Sequence, residues 1–255
     1  MTELIFLGTG TSQGVPLIGC DCPVCLSDNI KDKRLRSSVL VSTETTTIVV
    51  DTGPDFRQQM LRENIKHLDA VIFTHEHKDH IAGLDDVRAF NFILKKKIPV
   101  FATQRVINAL KREFYYAFED EKYPGVPELD IHCIDKKPFV IGDLSITPVE
   151  VLHFQLPVLG FIFNDKIVYI TDANYISDKE KEKIKNKDVL ILNALRKEKH
   201  ISHFTLQEAL ELIEELQPQK AYLTHISHQL GKYEDVSKEL PPNVFLSYDG
   251  LRIKV

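Results

Sequence analysis

The chain has 255 residues, of which 43% are hydrophobic and 27% are charged, and its net charge is −5. These values exclude a disordered or collagen-like chain, and the acidic balance argues against duplex nucleic acid as a partner. No apolar stretch approaches the roughly 18 residues that a membrane span needs, and no secretory signal pattern is visible. We therefore expect a cytoplasmic protein without a membrane partner.

Predicted strands and helices alternate along the whole chain. In the first half, the pattern predicts strands over 4–7, 38–42, 46–51, 70–74 and 100–102, and helices over 54–64, 80–96 and 104–116. In the second half, it predicts strands over 130–134, 144–152, 160–163, 167–171, 189–193, 221–224, 244–248 and 251–255, and helices over 177–187 and 205–216. No low-complexity linker interrupts this order, so we expect one domain over 1–255. The hairpin at 38–51 makes an all-parallel sheet improbable, and two β-rich layers covered by helices fit the pattern.

Four potential metal ligands lie within six residues at a predicted strand end. His75 and His77 are two positions apart, so in extended chain they point the same way. Asp79 and His80 fall where the chain turns into the next helix, so they can point elsewhere. This one segment can therefore supply two adjacent ions, and imidazole with carboxylate suits Zn²⁺, Mn²⁺ or iron.

A second cluster consists of the thiols of Cys20, Cys22 and Cys25 in a CxCxxC pattern. In a reducing compartment such thiols are metal ligands more often than disulfides. Three thiolates leave one tetrahedral position open, and His228 is the candidate for it. The fourth cysteine, Cys133, lies in a predicted strand and is expected in the core.

The glycine-rich turn after the first strand has the spacing GxGxxxG and is not followed by an amphipathic helix. This departs from the dinucleotide-binding fingerprint, so we do not predict a nucleotide cofactor here. We expect the turn to bring Thr9, Thr11 and Ser12 near the metals as substrate-binding residues.

The segment from His75 to His80 has the HxHxDH form of the metallo-β-lactamase superfamily, and the rest of the chain resembles that family. The resemblance implies an α/β fold, an αββα sandwich of two mixed sheets flanked by helices. It implies a dinuclear site with His75, His77 and His153 on one ion, Asp79, His80 and His225 on the other, Asp172 bridging both, and Asp51 supporting the ligands from behind.

The glycine turn, the three cysteines and the Thr-His-Ile-Ser-His segment at 224–228 resemble one subgroup, the phosphodiesterases that act on phosphoribosyl cyclic phosphates. That resemblance implies a small cyclic phosphodiester substrate and two catalytic Mn²⁺ or Zn²⁺ ions. It also implies a structural Zn²⁺ on the cysteines and His228. His203 corresponds to the general acid of that subgroup, and His200 is the alternative candidate for this role. Asp79 is also expected to be a catalytic residue.

Two other functions of the same fold stay open: a tRNA 3′-processing nuclease, and a thioester or lactone hydrolase. A di-iron oxidoreductase would need a flavin domain or partner, so we do not predict it. The acidic chain has no evident basic arm for gripping tRNA, so a nucleic-acid partner is disfavoured. A zinc-stabilised binding module is the non-enzymatic alternative, and the complete ligand set argues against it. A homodimer is also left open.

Overall fold

Two seven-stranded mixed sheets pack face to face in the computed structural model, which describes residues 1–121 and 123–255. Helices cover the outer face of each sheet, so the predicted αββα sandwich is confirmed. Within the described ranges, no helix combines the length and apolar character that crossing a membrane requires.

The first sheet has the strand order β14-β1-β2-β3-β4-β5-β6. Its strands are β1 (Glu3–Gly8), β2 (Ser38–Ser42), β3 (Thr47–Val50), β4 (Ala70–Ile72), β5 (Ile98–Ala102), β6 (Leu129–Cys133) and β14 (Arg252–Lys254). The pairings of β1 with β14 and β2, and of β2 with β3, are antiparallel, which confirms the hairpin. From β3 to β6 all pairings are parallel.

The second sheet has the order β13-β12-β11-β10-β9-β8-β7. Its strands are β7 (Phe139–Ile141), β8 (Leu144–His153), β9 (Leu156–Phe163), β10 (Ile167–Ile170), β11 (Val189–Asn193), β12 (Lys220–Thr224) and β13 (Val244–Leu246). The half from β7 to β10 is antiparallel, and the half from β10 to β13 is parallel. Each sheet therefore has one parallel half.

The helices are α1 (Phe56–Arg62), α2 (Lys78–Ile81), α3 (Arg88–Leu94), α4 (Gln104–Glu113), α5 (Asp178–Ile184), α6 (Leu206–Leu216) and α7 (Tyr233–Glu239). Three short 3₁₀ segments are Ile30–Asp32, Leu84–Val87 and Tyr115–Ala117. A capping box between Thr205 and Glu208 begins α6 at the predicted position.

The core lies in three layers, one between the sheets and one under each set of helices. The central layer includes the fully buried side chains of Phe6, Phe161 and Tyr169. Burial of strands on both faces explains why their sequences are apolar runs without alternation.

One prediction about secondary structure and one about burial were wrong. The helix expected over 80–96 is broken, because a Cβ at Gly83 would lie 2.1 Å from the Gly53 carbonyl oxygen and the backbone there packs against that loop. Cys133 is exposed and not in the core, because β6 is the edge strand of its sheet.

Candidate functional site

The candidate ligands lie where strands end at one edge of the sandwich. Ligands gather at this edge because open sheets place their sites beyond the carboxyl ends of parallel strands. His75 and His77 follow β4, His153 is the last residue of β8, Asp172 follows β10 and His225 follows β12. Two sheets thus supply one site from residues 150 positions apart.

The first ligand group consists of His75, His77 and His153, whose ligand atoms lie within 4.8 Å of one another. His75 Nε2 and His77 Nδ1 are 3.0 Å apart. His75 and His153 are buried, while His77 is exposed, so the group opens to solvent on the His77 side. This is the set that the sequence assigns to one ion.

The second group surrounds His80 Nε2, which lies 3.2 Å from Asp79 Oδ2 and 3.3 Å from Asp172 Oδ2. The other oxygen of Asp172, Oδ1, lies 3.4 Å from His225 Nε2. His75, His80 and Asp172 also form a group within 4.8 Å, so Asp172 lies between the two sets. This position agrees with the bridging role that the resemblance implies.

The donor set fits divalent ions, because two of its buried polar atoms have no hydrogen-bond partner among the described residues. His80 Nε2 and Asp172 Oδ2 are fully buried and, among the described residues, make no hydrogen bond. Buried polar atoms normally have partners, and an orphaned pair facing each other needs an explanation. Imidazole and carboxylate donors around a shared point are suited to Zn²⁺ or Mn²⁺.

Asp51 fixes the orientation of the ligands from behind. Its carboxylate accepts hydrogen bonds from the Thr74 backbone N–H at 2.9 Å and the Thr74 hydroxyl at 2.8 Å. It also faces His80 Nδ1 at 2.8 Å, and Thr74 Oγ1 lies 3.0 Å from His75 Nδ1. These contacts hold both Nδ1 atoms, so both Nε2 atoms remain free to bind an ion.

The remaining histidines are held in the same way. His153 Nδ1 lies 2.8 Å from the Ser202 carbonyl oxygen, and His225 Nδ1 lies 3.1 Å from the Ser37 hydroxyl. His225 and Asp51 have positive φ angles of 54° and 64°, which non-glycine residues rarely adopt. Such backbone strain persists where the surrounding structure enforces it, which is typical of functional sites.

The electrostatics of the site favour bound cations. Burial alone would lower the pKa of His80, but the carboxylates of Asp79, Asp172 and Asp51 outweigh burial and raise that pKa well above its usual value. Burial lowers the pKa of His225 to about 3, so this imidazole is neutral, as a metal ligand must be. The site therefore offers negative charge to an ion.

His203 adjoins the metal ligands and lies just before α6. Its Nε2 is 3.0 Å from Asp172 Oδ1, and its Nδ1 is 3.1 Å from His200 Nδ1. His153, Asp172 and His203 also form a group within 4.8 Å, so His203 is close enough to serve as a ligand itself. His200 contacts the site only through His203 and Ser202 in the described structure.

The cysteine cluster assembles as the pattern predicts. Cys20 Sγ and Cys22 Sγ lie 3.4 and 3.3 Å from His228 Nδ1, and all four ligand atoms including Cys25 Sγ lie within 4.8 Å. A hydrogen bond from the Cys25 backbone N–H is the main cause that lowers the pKa of Cys22 to about 6. Burial raises the pKa of Cys25 to about 11. The set is typical of a closed tetrahedral zinc site.

The prediction that Thr9 binds substrate was wrong. Thr9 is fully buried, its hydroxyl donates to Asp249 Oδ1 at 2.8 Å, and it accepts from Arg34 at 2.8 Å. Thr11 and Ser12 instead line a polar cavity of about 290 Å³ that also contains His200, His203 and His228. Their role in substrate binding stays a prediction.

Three supporting residues were missed by the sequence reasoning: Thr74, Ser37 and Ser202. Each contacts a ligand histidine through a hydroxyl or a backbone carbonyl. Thr74 and Ser202 are adjacent in sequence to His75 and His203, which was the available signal. Ser37 lies 188 positions from His225, and no local pattern links them.

The profile of the beta-lactamase superfamily domain matches residues 46–226, which is most of the chain and includes all seven candidate ligands of the histidine–aspartate site. The chain belongs to this superfamily. Its fold is that of the metallo-β-lactamase hydrolases, and this fold implies bound divalent metal ions.

Two solved structures resemble this chain over nearly its whole length. A new diphosphatase from the PhnP family has a TM-score of 0.93 at 38% identity, covering 100% of this chain and 98% of that one. Zn²⁺-bound PqqB from Methylobacterium extorquens has a TM-score of 0.80 at 18% identity, covering 99% and 100%, and this is a likeness of fold alone. The first likeness is consistent with the phosphodiesterase subgroup that the sequence resembles.

An octanoyltransferase from Porphyromonas gingivalis is 39% identical over 97% of this chain. The chain spans 50% of that protein and 56% of the exodeoxyribonuclease YycJ from Bacillus anthracis, which is 29% identical. The chain thus spans about half the length of these curated relatives, and the activity in either name describes a longer protein.

Proposed function

We propose that this protein is a metal-dependent phosphodiesterase that hydrolyses a small, cyclic phosphodiester. The observation that carries the proposal is the position of Asp172, whose two oxygens face His80 on one side and His203 and His225 on the other. A carboxylate shared by two ligand sets, with a histidine beside it, is suited to diester cleavage. The 38% identity to a PhnP-family diphosphatase supports phosphate chemistry.

His75, His77 and His153 would hold one divalent ion, and Asp79, His80 and His225 the other, with Asp172 between them. When bound, two such ions supply charge stabilisation to phosphate oxygens and lower the pKa of a water molecule to near neutrality. We propose Mn²⁺ or Zn²⁺ in these positions and Zn²⁺ in the cysteine site.

His203 would transfer the proton to the leaving alkoxide from its ring nitrogen. A proton donor must lie within hydrogen-bond reach of the leaving oxygen, and the contact of His203 Nε2 with Asp172 keeps the ring at the metal ligands. His203 also lines the polar cavity of about 290 Å³, which offers space on its side for a small leaving group. His200, also in that cavity, contacts His203 but not Asp172 in the described structure.

The proposal is tested with a hydrolysis panel in the presence of Mn²⁺ or Zn²⁺. The panel contains ribose cyclic phosphates, cyclic nucleotides, bis-aryl phosphates, a lactone, an octanoyl thioester and precursor tRNA. We expect turnover of cyclic phosphates and aryl diesters. Turnover of the lactone or the thioester alone would contradict the phosphodiesterase function, and preferred cleavage of precursor tRNA would indicate a nuclease.

A further inference from the structure

Two apolar side chains stand exposed on loops that also carry residues of the metal site. Phe154 directly follows the ligand His153 and is 52% exposed. Ile201 lies two residues before His203 and is 71% exposed. Apolar side chains that are exposed on loops beside a charged site are candidates for recognition of a ligand.

The two loops are joined to each other through Asn174. Its side-chain oxygen accepts a hydrogen bond from the Phe154 backbone N–H at 2.7 Å, and its amide nitrogen donates to the Ile201 carbonyl oxygen at 3.2 Å. Asn174 is two residues after Asp172, so a residue of the loop after β10 holds the backbones of both apolar residues together. A second link joins His153 to the Ser202 carbonyl oxygen.

The backbone of Phe154 is held in an unfavourable conformation. Its φ angle is +59°, which a bulky aromatic residue rarely adopts. The turn of the β8–β9 hairpin could relax with glycine at this position, and the sequence instead has an aromatic residue whose ring is half exposed. The ring therefore adds little to the core, and a strained residue of this kind is typical of a functional site.

We propose that Phe154 and Ile201 form an apolar rim that binds a planar aromatic group of the substrate, such as a nucleobase, beside the metal ligands. The inference rests on the proposed phosphodiesterase function. The face of a phenyl ring stacks on a flat heterocycle, whereas it gains only contact area with an alkyl chain. In a cyclic nucleotide, the base would contact the rim while the ring oxygen that leaves phosphorus faces His203.

The test compares three p-nitrophenyl diesters that differ only in the group retained on the phosphate: thymidine, hexyl and methyl. In Phe154→Ala we expect KM for the thymidine ester to rise about 10-fold, with kcat within about 2-fold and the methyl ester unaffected. Phe154→Trp should retain the preference for thymidine. Phe92→Ala is the matched control, because Phe92 is 67% exposed on α3, outside the site.

An equal loss on the hexyl and thymidine esters, or no change on either, would overturn the rim. Phe154→Gly relieves the positive φ, so it provides a folded variant if Phe154→Ala is unstable.

Calorimetric binding of adenosine monophosphate and ribose monophosphate tests the rim separately from the phosphodiesterase function. If no diester is hydrolysed, the phosphodiesterase function fails, while the rim still predicts about 10-fold tighter adenosine monophosphate binding that Phe154→Ala removes. Equal binding of the two monophosphates would then overturn the rim as well.

Discussion

The two candidate metal centres differ in how much of the fold holds them. The ligands of the histidine–aspartate site come from the ends of strands in both sheets, and most of them are buried. Three of the four ligands in the cysteine site lie within six residues of one loop, 9–29, which contains no helix or strand and only isolated bridges at Gly10 and Val15. Cys20 and Cys22 are partly exposed, and the local apolar cluster is small, with Val15 and Val24 as its main members.

This difference indicates that a metal ion would have a different role at each centre. At the histidine–aspartate site the two sheets already bring the ligands together, and hydrogen bonds to Asp51, Ser37 and Ser202 orient the histidine rings. An ion there would neutralise the negative charge of the carboxylates and take part in catalysis. At the cysteine site an ion would replace a hydrophobic core, so its contribution is to the stability of the loop. Each prediction below tests one side of this contrast.

The largest effect is expected from Asp172→Asn. The change removes the charge between the two ligand sets while it keeps the shape of the side chain. We expect kcat/KM for an aryl diester to fall by roughly 10³-fold or more, because charge stabilisation by metals contributes several kcal/mol. Metal analysis should show loss from the catalytic site with the cysteine-bound zinc retained. Wild-type turnover with a full metal content would contradict the bridging role.

His203→Ala should affect only substrates whose leaving group needs a proton. For an alkyl diester we expect a decrease in kcat on the order of 10²- to 10⁴-fold, whereas a p-nitrophenyl diester should change by only a few-fold. His200→Ala is the matched control and should leave both rates nearly unchanged. If His203→Ala loses a metal ion and slows both substrates equally, His203 is a ligand and not the acid.

Cys22→Ser should lower stability more than activity. Without zinc the loop loses its internal support, and we expect a decrease of roughly 3 kcal/mol in the free energy of unfolding, or on the order of 10 °C in Tm. Elemental analysis should show one zinc fewer per chain and the catalytic ions retained. Cys133→Ser, at an exposed cysteine outside the cluster, should change neither quantity. Unchanged zinc content in Cys22→Ser would contradict the site.

The smallest effect is expected from Thr205→Ala, which removes the N-cap of α6. We expect a loss of about 1 kcal/mol in the free energy of unfolding. Because the segment before the cap carries His203, kcat for an alkyl diester should also fall by a few-fold. Ser177→Ala removes the cap of α5 and should match the loss in thermal denaturation with no change in kcat. Equal kcat in both variants would show that the cap does not position His203.

The sequence predicted which side chains come together at the two sites, because most of the candidate ligands lie in two short segments. The HxHxDH segment supplies four of them within six residues, and the CxCxxC pattern supplies three thiols in the same way. The distant ligands His153, Asp172 and His225 were found because each follows a recognisable apolar strand in the order typical of the family. These strands could be recognised in the sequence as apolar runs, because they are buried on both faces.

What the sequence could not reveal depends on contacts between distant segments. Thr9 was placed at the substrate because nothing near it indicates that its hydroxyl bonds to Asp249, 240 residues away. Cys133 was assigned to the core because an edge strand and a central strand have similar patterns. Helix α7 was missed since it buries only Val236, which gives no helical periodicity.

Anomalous diffraction from crystals of the metal-loaded protein tests the central claim most directly. The account predicts three ions per chain, two of them about 3.5–4 Å apart on either side of Asp172 and one among Cys20, Cys22, Cys25 and His228. A single ion at the histidine cluster with Asp172 unbound, or a cysteine cluster without metal in zinc-loaded crystals, would contradict it.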